Sequence, residues 1–409
     1  MKSLVPLFTL IAASVMASAE PDCPHSSKEN WLQAVPKNYQ SRAEYAFLEA
    51  KPNLPNVLII GDSISMSYTV GVRKELAGLA NVYRAPDNCR STRQTLEFLD
   101  TYLGKIHWDV VHFNWGIHDL THLSKAGKAA PPPAGKHQVG LDEYRLNLGK
   151  LIERLKKTDA RLLWSSTTPI GQKAEAKGYR LDRDIVGYNA AAERVMQANA
   201  VEINDLYSLT KPRAEKLLSD GVHFNGAGTK ILAGAVAGAI RSELRWFRED
   251  FTETPQEIPV QQKHLANASL ILKRLGPGEG QIKRSFHENK PGDPYYVWSG
   301  LCPGTWALAF EHRTSTVDLT HFGKVRWRTK QMADRGTPES NDWIVDEIDV
   351  TTCGWFRLNI KNITKGEQVG KPDLSRVREI GFTDLMPGGK SKACSRLDWL
   401  EVYGKSSGL

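Results

Sequence analysis

An unbroken apolar run, Val57-Leu58-Ile59-Ile60, ends on Gly61-Asp62-Ser63, and that junction leaves few folds open to the chain. Four consecutive apolar residues bounded by a turn signal read as a strand buried on both faces, the condition met in a parallel sheet. A turn at the carboxyl end of such a strand sets Ser63 at the rim where open α/β sheets hold ligands. The pattern continues downstream. Strands are expected at Asn56–Ile60, Asn81–Ala85, Asp109–Asn114, Arg161–Ser166 and Ala200–Ile203, and amphipathic helices at Val70–Leu79, Thr92–Leu103, Leu141–Lys157, Asp184–Asn199 and Gly226–Leu244. Alternation of this kind with short connections predicts an α/β domain, a parallel sheet with helices on both faces.

After Leu244 the texture changes. Residues 246–262 are polar and carry Pro255 and Pro259, which reads as a linker. Beyond them lie short runs of period-two alternation: Tyr295–Ser299, Trp306–Glu311, Lys324–Lys330, Trp343–Val350, Trp355–Ile360, Glu379–Thr383 and Leu397–Tyr403. These predict an antiparallel β-sandwich. The expected division is a signal peptide over 1–19, an N-terminal segment over 20–54, an α/β domain over 55–245, the linker, and a β-sandwich domain over 263–409.

The signal peptide rests on Lys2, the apolar stretch Leu4 to Val15, and Ala17-Ser18-Ala19 as a cleavage site, and it implies a secreted or periplasmic protein. The stretch is too short to span a bilayer, so no membrane insertion is expected. The net charge is +8, but Lys and Arg are dispersed, which gives a nucleic-acid partner little support. Five cysteines, Cys23, Cys89, Cys302, Cys353 and Cys394, leave at least one thiol unpaired even in an oxidising compartment. No local Cys or His spacing matches a zinc site, so no metal is expected. No signal for oligomeric state is present.

A second short element, Asp220-Gly221-Val222-His223, offers a carboxylate and an imidazole three positions apart, just before the last helix of the α/β domain. With Ser63 it completes a hydroxyl, a base and a group to orient the base, the set acyl transfer needs. Gly61-Asp62-Ser63 after the first strand, FNWGIHD at Phe113–Asp119 after the third, and DGVH before the last helix together resemble the SGNH (GDSL-type) hydrolase superfamily over roughly residues 55–245. PDNCRSTRQTLEFLDTYLG, WDVVHFNWGIHDL and SDGVHFNGAG look like its secreted bacterial carbohydrate esterases. The resemblance implies a three-layer α/β/α domain, with Ser63 as nucleophile, His223 as general base and Asp220 orienting the imidazole. It implies no cofactor.

The superfamily's oxyanion donors come from the nucleophile's block, a glycine in the second block and an Asn in the third. Here the second position is Arg90 and the third block reads Gly116-Ile117-His118-Asp119. The expected oxyanion set is therefore Ser63, the backbone N–H of Arg90 if its φ is negative, and a His118 ring N–H where the Asn amide would stand. Arg90 instead has the fork to clamp a substrate carboxylate or sulfate. Asn114 is a substrate-binding candidate beside the hole, and Trp115 is either a wall of the core or a sugar platform. The proline- and lysine-rich stretch from Ser124 to Gly140 is either a solvated insertion or a lid.

In the β-region, Lys324, Arg326, Arg328 and Lys330 fall on one face of a strand, either a basic solvent face or a site for acidic glycans. Trp298, Trp306, Trp343, Trp355 and Trp399 are core residues or sugar platforms. Strand pattern and Trp content resemble galactose-binding-like jelly rolls. These readings converge on a secreted serine esterase that removes O-acetyl groups from acetylated polysaccharide. The rivals are a lipid or longer-chain acyl esterase, and a glycan-binding protein whose esterase site has decayed.

Overall fold

A computed structural model describes residues 23–52, 54–286, 294–298, 306–320, 323–331, 343–350, 373–383 and 395–408. The expected signal peptide, the strand Trp355–Ile360 with Trp355, and Cys302, Cys353 and Cys394 lie outside the described residues. Cys23 and Cys89 are both free thiols.

Five strands, β1 (Asn56–Ile60), β2 (Asn81–Arg84), β3 (Val110–Phe113), β4 (Arg161–Ser165) and β5 (Glu202–Asn204), form one sheet in the order β2-β1-β3-β4-β5. Every pair in it is parallel. The register aligns Leu58 with Val111 and Leu162, and Ile60 with Phe113 and Trp164. Period two sends these six to one face, where they pack under helices α2 (Thr92–Leu103), α3 (Leu141–Lys156) and α4 (Asp182–Ala198) through Leu99, Tyr144, Leu148 and Tyr188. Val57, Ile59, Val82, Val110 and Leu163 face the other side. There α1 (Ser63–Glu75) and α5 (Gly226–Leu244) cover them with Tyr68, Val72, Val236 and Ile240. The result is the expected α/β/α layering with a parallel sheet.

Most helices start where a capping side chain sets them. Ser91 accepts from the Gln94 amide before α2, and Asn225 from the Gly228 amide before α5. The first helix departs from the reading at Val70–Leu79: Asp62 caps it by accepting from the Ile64 amide, so it begins at Ser63 and ends at Glu75. Ahead of β1, a short helix, Lys28–Ala34, buries Trp31 with Val35, Tyr45 and Met66, and Trp31 Nε1 donates to Tyr45 O at 2.6 Å.

The C-terminal part is β-rich. One antiparallel sheet runs Lys283–Ser285, Tyr296–Trp298, Ser395–Tyr403, Lys324–Gln331, Ile344–Asp349, and a second runs Glu379–Thr383, Ala307–His312, Leu270–Leu275. Leu308 and Phe310 of the smaller sheet and Val297, Val325, Leu397 and Leu400 of the larger share a single core. The stretch read as a linker is different from that expectation. Arg245–Glu249 is a strand paired with Ser395–Tyr403, and Phe247, Phe251 and Val260 sit in the shared core. Its polar residues misled because they serve the pairing: Arg245 and Arg248 both reach Glu401, at 3.1 and 2.8 Å. α5 thus passes into the β-region with no spacer.

The Lys324–Lys330 alternation holds, with Val325 and Trp327 turned to the core. The other face is neither a basic solvent surface nor a free anion site. Neighbouring strands set acidic residues opposite it: Lys324 meets Glu347 at 3.1 Å, Arg326 meets Glu401 at 3.4 Å, and Arg328 meets Asp398 at 2.9 Å. Lys330 is buried. Trp306 is core, while the guanidinium of Arg248 covers Trp399 at 4.6 Å and that of Arg328 covers Trp343 at 5.3 Å. Lys283 Nζ lies 5.6 Å from the Trp298 ring centre. The chain has no helix among its described residues long and apolar enough to cross a membrane.

Candidate active site

With the order β2-β1-β3-β4-β5, the crossovers on either side of β1 go to opposite faces, and the crevice between the carboxyl ends of β1 and β3 lies at the reversal. Ser63 enters this crevice as the first residue of α1. Its own N–H has no acceptor within the helix, and the positive end of the helix dipole lies at its side chain. The turn is fastened from below by Arg84 at the end of β2. This fully buried guanidinium donates to Gly61 O at 3.3 Å, to Ser65 Oγ at 3.1 Å and to Thr69 Oγ1 at 3.3 Å, while stacking on Tyr45 at 4.9 Å. Nothing in the local sequence singles out Arg84; it is recognised only once β2 is seen beside β1.

Asp220 and His223 come from a tight turn before α5. Gly221 holds φ at +90°, in the region that favours glycine, and a Cβ there would lie 2.6 Å from the Ala174 amide nitrogen. The turn lets Asp220 Oδ1 accept from the amides of Val222 and His223, at 2.8 and 2.7 Å. Its Oδ2 receives His223 Nδ1 at 2.7 Å, and His223 Nε2 stands 2.9 Å from Ser63 Oγ. Desolvation pushes the Asp220 carboxyl up. The bonds from the His223 ring and the two amides outweigh it, so the carboxyl titrates well below the ordinary carboxylate range. Held ionised, Asp220 fixes the proton on Nδ1, which leaves the Nε2 lone pair aimed at the serine. The three expected catalytic residues are thus brought into one relay.

The oxyanion residues are arranged less simply. His118 is half-buried in the turn after β3. Burial lowers its pKa; the nearby charges of Arg180, Arg90 and His223 act the same way, and Asp62 opposes them. Its imidazole is therefore neutral at pH 7 and has a ring N–H to offer. Arg90 adopts a φ of +39°, so the negative φ expected for it is not found, and its backbone takes the conformation that favours glycine. Its amide donates to Asn88 Oδ1 at 3.2 Å, and its side chain is exposed.

Asn114, expected to bind substrate, uses its amide nitrogen on Ser165 O at 2.7 Å and Thr167 Oγ1 at 3.3 Å, and so braces β3 against the end of β4. Trp115 is fully buried and belongs to the core. Gly116 is required by space: a Cβ would lie 2.1 Å from Thr167 Oγ1.

Arg180 was not foreseen. It donates to Thr121 Oγ1 at 2.8 Å, and burial lowers its pKa against the pull of Tyr179, Asp62 and Asp220. It sits in an irregular stretch, so no periodicity marks it. Flanking Ser63, a small recess is lined by polar and apolar side chains together, among them Asp62, Ile64, Asn114, Ile117, Thr167 and Leu206. The Ser124–Gly140 insertion is a pinned hairpin, with His122 opposite His137 and Leu123 opposite Lys136, and its Lys125, Lys128 and Lys136 are exposed.

Residues 59–231 match the model of the GDSL-like Lipase/Acylhydrolase family. This match supports the GDSL/SGNH hydrolase superfamily for the α/β domain and, with it, ester hydrolysis. No curated protein matches the chain. Among solved structures, the lipase/acylhydrolase from Enterococcus faecalis is 18% identical, with a TM-score of 0.39 over 46% of this chain and 96% of that one. An acetyl xylan esterase is 21% identical, with a TM-score of 0.39 over 45% and 99%. A GDSL-like lipase from Bacteroides thetaiotaomicron is 16% identical, with a TM-score of 0.40 over 51% and 98%.

Proposed function

We propose that the protein is an exported serine esterase that removes O-acetyl groups from acetylated polysaccharide. The observation that carries the esterase reading is the continuous relay from Ser63 Oγ through His223 to Asp220, with links of 2.9 and 2.7 Å. Ser63 Oγ attacks the ester carbonyl as its proton passes to His223 Nε2, and Asp220 stabilises the imidazolium. The developing oxyanion meets the Ser63 amide and the His118 ring N–H. His223 then returns the proton to the sugar oxygen as the acetyl-enzyme forms. In the second half it activates water, and acetate leaves.

Two features favour a short acyl group on a bulky alcohol. The recess beside Ser63 is small, with room for little more than a water molecule, so it gives a long alkyl chain nowhere to go. His223 and Asp220 are 45% and 52% exposed, so the alcohol side of the site is open enough for a polymer. Export rests on Lys2, the Leu4 to Val15 stretch and Ala17-Ser18-Ala19. The β-rich region is read as a jelly-roll-type sandwich. Its basic strand is neutralised within the sheet, so substrate selection belongs to the α/β domain.

The test is acetate release from acetylated xylan and from synthetic esters of increasing chain length. Activity should be highest on acetyl esters and fall steeply by the hexanoyl ester. A rate that rises with chain length would overturn the short-acyl reading in favour of a lipid esterase.

A further inference from the structure

His122, His137 and Asp184 stand far apart in sequence, and no spacing motif links them. The fold brings them together through two independent devices. In the hairpin that closes the insertion after β3, His122 and His137 are directly opposed across an antiparallel pair, so period two sends both rings to the same face. Their ring centres are 4.2 Å apart. Asp184 comes from the first turn of α4, with its amide bonded to Leu181 O and its carboxylate turned toward both rings.

The distances suit chelation. His137 Nε2 is 3.2 Å from Asp184 Oδ2, and His122 Nδ1 is 3.9 Å from the same oxygen. Ligands about 2.0–2.1 Å from a tetrahedral ion stand about 3.3–3.4 Å apart, so small side-chain adjustments close the set. His122 Nδ1 is free to turn from its long 3.3 Å contact with Tyr179 O, because the His122 amide already serves that carbonyl at 2.8 Å. His122 is buried within the hairpin, which keeps its imidazole on the side of Asp184. Tyr188 holds the His137 ring edge-on at 5.4 Å.

We propose that His122, His137 and Asp184 bind a divalent transition-metal ion of the Zn²⁺ class and thereby tie the 122–137 hairpin to the start of α4. Two imidazoles and a carboxylate are a borderline donor set, suited to Zn²⁺ and ill suited to Ca²⁺ or Mg²⁺. His137 is 29% exposed on its side chain, which leaves the fourth position open to water. The site is structural and lies apart from the Ser63 relay.

The experiment uses the full chain, stripped with a chelator and titrated with ZnCl₂ by calorimetry, with thermal melting alongside. Wild type should bind one equivalent and melt at higher temperature with Zn²⁺, and neither Ca²⁺ nor Mg²⁺ should reproduce the shift. His137→Ala and Asp184→Asn should bind at least about tenfold more weakly, since even outer partners of metal ligands are worth about 10–100-fold. His107→Ala, which removes an exposed imidazole 3.7 Å from Asp109, should bind as wild type does. Two variants guard against misfolding, which the metal-free melting temperature reports. No binding by wild type, or binding by both ligand variants as tight as wild type, overturns the proposal. So does an equal shift with Mg²⁺.

Discussion

The Asp220 carboxyl titrates well below the ordinary carboxylate range, held by the His223 ring and two backbone amides. Because three donors hold its carboxylate, the variant Asp220→Asn loses both the charge that stabilises the imidazolium and the acceptor that fixes the Nδ1 tautomer. Its kcat should fall on the order of 10⁴-fold, with folding little changed, as steady-state kinetics on an acetyl ester would read. If, as proposed, the His118 ring donates to the oxyanion and not to the ground-state ester, His118→Ala should lower kcat about 10²–10³-fold and leave KM nearly constant. A fall confined to KM would assign the ring to binding instead. The relay was legible in the sequence because each of its parts sits in a short motif at the end of a strand or before a helix. Arg84 and Arg180 were not, because both act across the sheet or from an irregular loop; Asn114 lines the recess, and the bonds its amide makes to Ser165 and Thr167 carry no sequence signal.

At the scale of elements, the segment after β3 is clamped to α2. Asp119 Oδ1 accepts from the Thr92 amide at 2.9 Å and from its hydroxyl at 2.5 Å, within fully buried surroundings. Burial raises the Asp119 pKa to about 7, against the pull of Thr92. The folded state therefore holds this proton more tightly than the unfolded chain does. The group's contribution is full below the ordinary carboxylate range and is lost as pH climbs to about 7. Asp119→Asn has no such proton, so the difference in urea midpoint between variant and wild type should move in the variant's favour from pH 4 to about 7 and then level off. A constant difference would contradict the burial argument.

Helices with a capping side chain and a clear apolar stripe, Thr92–Leu103 and Gly226–Leu244, were read with their observed bounds. α1 begins at Ser63, ahead of the Val70 start that apolar spacing predicts, because its first turn is set by the Asp62 cap.

Across the whole molecule, the α/β domain and the β-rich region are joined more closely than composition implied. Tyr403 packs with the Val236 and Ile240 layer of the α/β domain, and Lys324 Nζ donates to Gly78 O at 2.6 Å. Polar residues between Arg245 and Glu249 looked like a tether because a strand at a domain junction pairs through charged side chains as well as apolar ones. Trypsin under native conditions should spare the bonds after Arg245 and Arg248, and rapid cleavage there, followed by N-terminal sequencing, would show an open linker after all. The claim on which the enzymology stands is that Ser63 is the nucleophile. Treatment with a fluorophosphonate and mass mapping of the adduct tests it most directly: one modified residue, Ser63, with labelling lost in His223→Ala. An adduct on a different residue, or full esterase activity in Ser63→Ala, would contradict the account.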